Sequence, residues 1–450
     1  MTDRILLRGG HVISMDASVR ELPRGDVLIE DGRVAAVRPE IGADAQVLDM
    51  TGRIVIPGFV DTHRHTWEAS IRGVAPDATL DDYFVDILDT FAPLYTPEDV
   101  YAANLAGALE CLNAGITTLV DWSHINNTPD HPDAAVQALA ESGIRAQYAY
   151  GSANTSLADY WFDSKIAIPG DDVRRIRTKY FASDDGLLTM ALATRGPGFC
   201  RSEVVTSEWA LARELGIPIT VHVAMGRLAG RFGMVGQLHE MGLLGPDTTY
   251  VHCCYLSEDE WRMVADSGGT VSIAPQVETQ MGHGWPPVMK AVAHGLRPSL
   301  SIDVVTTVPG DMFTQIRAAF GAERARVNAE CWQADVPVPE TMLTARRMLE
   351  TATANGAHVA GLEHRTGSLT PGKRADVVAL DATAPNMAPV HDAAAAVTLC
   401  ADVSNVETVI VDGVIRKRDG RLTGDVARAR RLVEASRDRL LAAKEAKRTA

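Results

Sequence analysis

The stretch PGFVDTHRHTWEASIRG, Pro57 to Gly73, sets two histidines one residue apart directly after an apolar run. A strand alternates its faces, so residues i and i+2 point the same way. Ile54 to Val60 reads as a buried strand, and His63 and His65 leave its C-terminal end on one face. Two imidazoles so placed can grip a common object, and a metal ion is the natural one.

Working outward, the middle of the chain alternates apolar runs with amphipathic helical stretches. The runs are IVIPGFVDTH, ITTLVDWSH, IRAQYAYG, LLTMALATR, PITVHVA, TTYVHCC, TVSIAPQVE and RPSLSIDVV. The helical stretches open on Pro, Ser, Asp or Glu and several close on Gly, as capping requires. Eight such units predict a (β/α)8 barrel over residues 58–365. A doubly wound open sheet would need a Gly-rich phosphate loop after an early strand, and none is present. Residues 1–57 and 366–425 are rich in short alternating strands and turns, which predicts one small β-sandwich built from both termini. Residues 426–450 carry helical periodicity with a basic end and are expected to pack outside.

In a barrel, chemistry collects at the C-terminal ends of the strands. The polar residues closing the runs are Asp61, His63 and His65 on the first and Asp121 and His124 on the second. Arg195 closes the fourth, His222 the fifth, His252 the sixth, Gln276 and Glu278 the seventh, and Asp303 the eighth. Five of the thirteen histidines thus fall at strand ends. His63, His65, His222 and Asp303 make three neutral imidazoles and a carboxylate, a set suited to Zn²⁺, with Fe or Mn as alternatives. Asp303 could bind the ion and also accept a proton from bound water. His252 is either a further ligand or a group beside the ion, touching water or substrate. The fourth strand contains no lysine to bridge a second ion, so one metal is expected.

Composition narrows the setting. The 450 residues carry a net charge of −15, which argues against nucleic acid and anionic membrane as partners. No stretch approaches the apolar length of a membrane span, and no secretory signal is visible. Six scattered cysteines fit reduced thiols, so a cytoplasmic protein is expected.

With PGFVDTHRH, TVHVA, VHCCYLSEDE, SIDVVTTVPGDMF and ETATANGAHVAGLEHRTGSLTPGKRADVVALD in view, the chain resembles the amidohydrolase superfamily. It is most similar to the branch holding cytosine, guanine and S-adenosylhomocysteine deaminases and the triazine hydrolases. The resemblance implies a distorted barrel with a β-sandwich, one catalytic metal, and a dimer or larger assembly. It carries over His63, His65, His222 and Asp303 as ligands and His252 as the residue polarising water or substrate. Two departures matter: where the family often has a strand-4 histidine that touches substrate, this chain has ATRGPGF with Arg195. Deaminases of this family usually place a proton-shuttling glutamate three residues after the strand-5 histidine, and here that residue is Met225, which cannot transfer protons.

The departures turn the expectation toward hydrolysis of an amide, urea or amidine, with a heterocycle as a further C–N substrate. The alternatives are an aminohydrolase in which Glu278, expected near the pocket mouth, replaces the missing carboxylate; removal of a follower segment from a modified peptide; and a decarboxylase. Arg195 could fork onto a substrate carboxylate or close a salt bridge in the barrel rim. His124 and His283 are further polar candidates. The long segments after strands 1 and 3 carry Trp67, Tyr83, Phe84, Tyr160, Trp161 and Phe162, which predicts an aromatic-lined pocket for a small-molecule or short peptide-like substrate.

Overall fold

A computed structural model describes residues 4–156, 161, 163–229, 231–339 and 342–449. The N-terminal strands are β1 (Arg4–Val12), β2 (Leu22–Glu30), β3 (Arg33–Arg38), β4 (Gln46–Asp49) and β5 (Arg53–Pro57). Then come β6 (Phe59–Arg64), β7 (Ile116–Ser123), β8 (Arg145–Tyr150) and β9 (Leu188–Thr194), followed by β10 (Ile219–Val223), β11 (Thr248–His252), β12 (Thr270–Ile273) and β13 (Ser299–Leu300). The last four are β14 (Val377–Asp381), β15 (Val406–Val411), β16 (Val414–Arg418) and β17 (Arg421–Leu422).

Strands β6 to β13 pair in chain order, each parallel to the next. Backbone bonds from His65 N to Asp303 O and from Asp303 N to His63 O, both 2.9 Å, tie the first strand to the segment after the last. The Asp61 carboxylate reinforces that seam, accepting the Ile302 amide at 3.1 Å. The result is the expected (β/α)8 barrel. Below the strand ends its interior is filled by Val60, Val120, Trp122, Ala149, Ala191 and Ala193, and Ala357, Ala360 and Leu362 pack against them.

The other strands form one nine-stranded sheet in which β14 pairs antiparallel with β5, joining the two termini of the chain. The sheet curls back on itself: Ala375 N donates to Gly32 O at 2.9 Å, and Gly413 lies too close to Gly32 for a Cβ. Ile5, Val27, Val34, Val55, Val377 and Ile410 share the core inside this sandwich. The helix Val426–Thr449 packs on the helix Pro97–Asn113, where Ser436 Oγ donates to Asp99 at 2.8 Å.

Two sequence expectations need correction. The run Ile54–Val60 is not one strand. It is divided at Gly58, with β5 in the sandwich and β6 in the barrel. A Cβ on Gly58 would lie 2.0 Å from Thr117 Oγ1, so only glycine lets the chain cross so close to β7. The run TVSIAPQVE likewise stops at Ile273, because Pro275 opens a helical turn, Pro275–Gln280. Gln276 and Glu278 therefore sit on that turn, past the strand end.

Candidate metal centre and cavity

His63 and His65 leave β6 toward a common point, as the alternation of a strand requires. Their Nε2 atoms lie 3.2 and 3.3 Å from the same oxygen, Asp303 Oδ1. His222, on β10, brings its Nε2 to 3.1 Å from that of His63. The ligand atoms of all four residues fall within 4.8 Å of one another, and all four residues are buried. The segment carrying Asp303 turns sharply, with Asp303 at φ +70°, and His252 and Ala224 are likewise left-handed, at +74° and +50°. Such conformations cost energy in L-residues, and they cluster where side chains must be aimed.

Two imidazole nitrogens at 3.1 Å beside a carboxylate either share a proton or converge on a cation, and the convergence of all four ligand atoms suits a cation. The tautomers agree. His65 Nδ1–H donates to the Trp122 carbonyl at 2.9 Å, which turns Nε2 toward Asp303; burial works to lower this imidazole, but the Asp303 carboxylate outweighs it and raises it above its ordinary value. Burial holds the His63 imidazole down to about 4 and His222 well below its ordinary value, so both stay neutral, as ligands must. Burial works to raise the Asp303 carboxyl, but the neighbouring His63, His65 and His252 outweigh it and hold the group well below its ordinary range. Three nitrogens and one oxygen in this arrangement fit a first-row divalent ion.

A second set of ligand atoms, from His252, His283 and Asp303, also lies within 4.8 Å. His252 Nε2 is 3.7 Å from Asp303 Oδ2, and its Nδ1 is 3.2 Å from Glu278 Oε1. The same Glu278 oxygen accepts the Ala274 amide at 2.8 Å. Burial pushes this carboxyl above its ordinary range, against the pull of His252. Glu278 thus stands behind His252 and not at the pocket mouth. The helical turn begun by Pro275 folds its side chain back onto the strand end.

A cavity open to solvent, about 360 Å³ when the solvent space at its mouth is counted, lies over these groups. Its polar lining comes from His65, His124, His222, His252, His283 and Asp303, and its walls include Leu80, Tyr83, Phe84, Trp161, Met225 and Met281. Among the described residues, no lysine or arginine lines it.

Several expected contacts fall elsewhere. Trp67 is fully buried and donates from Nε1 to His124 Nδ1 at 3.4 Å, one layer behind the cavity. Arg195 is taken up by the Ser164 hydroxyl at 2.9 Å, the Ile166 carbonyl and the Glu208 carboxylate at 3.5 Å; this is the rim salt bridge. Gln276 is bonded to Gln280 and Gln315 and does not reach the cavity. Tyr160 and Phe162 lie outside the described residues.

Two residues escaped the sequence reading. Trp122 lies beneath the histidines, its ring 4.4 Å from that of His222. Glu68 is fully buried, accepts the Tyr83 hydroxyl at 2.6 Å and is pushed up to about 8 by burial. Its spacing of three from His65 places it on the short 3₁₀ helix Thr66–Ile71 after β6, a signal visible in HTWE.

Comparison with known proteins agrees with this geometry. A 5′-deoxyadenosine deaminase of Methanothermobacter thermautotrophicus is 30% identical over 430 residues, covering 93% of this chain and 94% of its own. A 5-methylthioadenosine/S-adenosylhomocysteine deaminase of Desulforudis audaxviator is 30% identical over 97% of this chain and 99% of its own. Among solved structures, a zinc-bound adenosine deaminase of Xanthomonas campestris superposes with a TM-score of 0.83 at 23% identity, covering 97% of this chain and 98% of its own. The atrazine chlorohydrolase of Arthrobacter aurescens, complexed with zinc, gives 0.84 at 23%, covering 96% of this chain and 100% of its own. The model of the amidohydrolase family matches residues 54–416. The chain is therefore a member of the amidohydrolase family, a metal-dependent hydrolase of carbon–nitrogen bonds.

Proposed function

We propose that this hydrolase binds one zinc ion and removes ammonia from a small, uncharged, aminated heterocycle. The cavity carries the reading: a compact space with flat aromatic and apolar walls, histidines and one aspartate at its base, and no lysine or arginine among the described residues of its lining. A flat neutral ring fits such walls. The carboxylate of a decarboxylase substrate would find no arginine or lysine among those residues. Relatives of nearly full length that act on adenine-bearing compounds support the same class.

His63, His65, His222 and Asp303 would hold the ion. When bound, it would polarise a water molecule, lower its pKa toward roughly 7, and activate the carbon under attack. Asp303, kept ionised by its histidine neighbours, accepts a proton from that water. His252, fixed through Nδ1 by Glu278, keeps Nε2 toward Asp303 and the cavity, where it stabilises charge developing on the attacked centre. The apolar walls hold the ring in place and exclude competing water.

Met225 favours a second reading, hydrolysis of an amide or amidine, in which no shuttle to a ring nitrogen is needed. One experiment separates the two. The protein loaded with one equivalent of zinc is offered 5′-deoxyadenosine, 5-methylthioadenosine, adenine, cytosine and an aminotriazine, and in parallel small amides and ureas. Ammonia release with exchange of NH₂ for oxygen on a ring supports deamination. Turnover confined to the amides and ureas overturns it.

A further inference from the structure

Removal of ammonia from a ring needs a group that carries protons between water and nitrogen, and Met225 is not one. The structure offers another. His283 lies in the loop MGHGW after the turn Pro275–Gln280, 58 positions from Met225 in the chain. The fold brings the two together: Gly226 N, the amide next to Met225, donates to the His283 carbonyl at 2.8 Å. The flanking glycines permit this loop. Gly282 has φ +80° and Gly284 +137°, and a Cβ on Gly284 would lie 2.6 Å from Cys254 Cβ.

The imidazole that this loop presents lines the cavity, as Met225 does. It is 3% exposed, and neither of its nitrogens has a hydrogen-bond partner among the described residues. Its ring stands edge-on to that of His252 at 4.7 Å between centroids, and one of its nitrogens lies within 4.8 Å of the Asp303 carboxylate. Burying two unpaired imidazole nitrogens is costly, and such groups normally find a partner. The ring lines the cavity, which is where a bound substrate meets it.

Resting on the reading above, we propose that His283 carries the proton between water and the ring nitrogen, the task that Met225 leaves vacant. As the water oxygen bonds to the ring carbon, one water proton passes to a free imidazole nitrogen and then to the adjacent ring nitrogen. The hydroxyl left on the tetrahedral carbon gives its proton, through Asp303, to the amino group. The C–N bond breaks with its electron pair on nitrogen, ammonia leaves, and the carbon keeps a carbonyl oxygen. One water is consumed and one ammonia released, with the ring nitrogen gaining the hydrogen.

The test uses zinc-loaded protein and 5′-deoxyadenosine, or the compound of the panel that wild type turns over best. His283→Gln keeps the size of the side chain but cannot shuttle protons. It is expected to lower kcat by about 10² to 10³-fold, with KM within about threefold and zinc content unchanged. Added imidazole is expected to restore part of the activity of His283→Ala, and Met225→Glu to raise kcat when combined with His283→Gln. Wild-type rates in His283→Gln overturn the proposal, and so does loss of zinc from the variants, which would make His283 a ligand. If His283→Gln does not fold, His283→Ala with imidazole decides, and absence of rescue counts as failure. Wild-type protein that turns over nothing in the panel sinks the functional reading, and this inference with it; turnover by wild type and His283→Gln alike sinks only the inference.

Discussion

Glu278 backs His252: its Oε1 lies 3.2 Å from His252 Nδ1, while His252 Nε2 is turned toward Asp303 at 3.7 Å. A carboxylate behind an imidazole fixes the tautomer and raises the basicity of the far nitrogen. The role assigned to Glu278 is therefore positioning. Glu278→Ala is expected to lower kcat about 10- to 100-fold with little change in KM. Glu278→Gln keeps an acceptor for Nδ1–H and is expected to stay within about tenfold of wild type. If Glu278 itself moved protons to substrate, the glutamine variant would be as inactive as the alanine variant. Steady-state kinetics on the two, with zinc content measured for each, distinguishes the roles.

Asp303 Oδ1 is shared by His63 and His65, so one oxygen anchors half of the ligand set. Asp303→Asn removes the negative charge that offsets the ion and is expected to lower zinc affinity by at least about 10-fold. His63→Ala removes a ligand at the centre of the cluster and is expected to yield protein without stoichiometric zinc. Dialysis against a chelator should abolish wild-type activity, and added zinc should restore it. Elemental analysis before and after dialysis checks the metal content, and activity assays on the same samples check the loss and recovery of turnover.

The barrel strands were legible because parallel strands covered on both faces are continuous apolar runs, and the residue that ends each run faces the open end. That logic reached His63, His65, His222, His252 and Asp303. It failed at Glu278, because PQVE continues the apolar rhythm of TVSIA while Pro275 starts a helical turn. It failed also at Gly58, where a strand-like run changes sheets without a polar break. Trp122 lies inside the apolar run of β7, and its position under His222 depends on which face of that strand looks inward. The nearness of Met225 and His283 follows from one backbone hydrogen bond between loops, which no local pattern announces.

Arg195 and Glu208 are both about 1% exposed and face each other at 3.5 Å, away from the cavity. Removing one partner strands a buried charge. Glu208→Ala is therefore expected to destabilise the fold by about 3–5 kcal/mol. Its KM for a neutral substrate should not change, because Arg195 binds Ser164 and Ile166 and not the ligand. Denaturant unfolding gives the first quantity and kinetics the second. A large rise in KM at unchanged stability would place Arg195 in substrate recognition after all.

Lys417, on β16 of the sandwich, is buried and donates from Nζ to the carbonyl of Asn113, at the end of a barrel helix, at 2.7 Å. Burial pulls its ammonium down to about 8 from the ordinary 10.5. Between those two values the unfolded chain holds a proton that the folded chain has released. Folding stability must therefore rise with pH across that window, and below about pH 8 the buried charge weighs against the fold. Lys417→Met removes the titrating group and with it this rise. The difference in Tm between about pH 10 and about pH 7.5 is expected to be more favourable for wild type than for the variant. Equal differences in the two proteins would show that Lys417 titrates as an exposed lysine does, and that the junction between barrel and sandwich leaves it open to water.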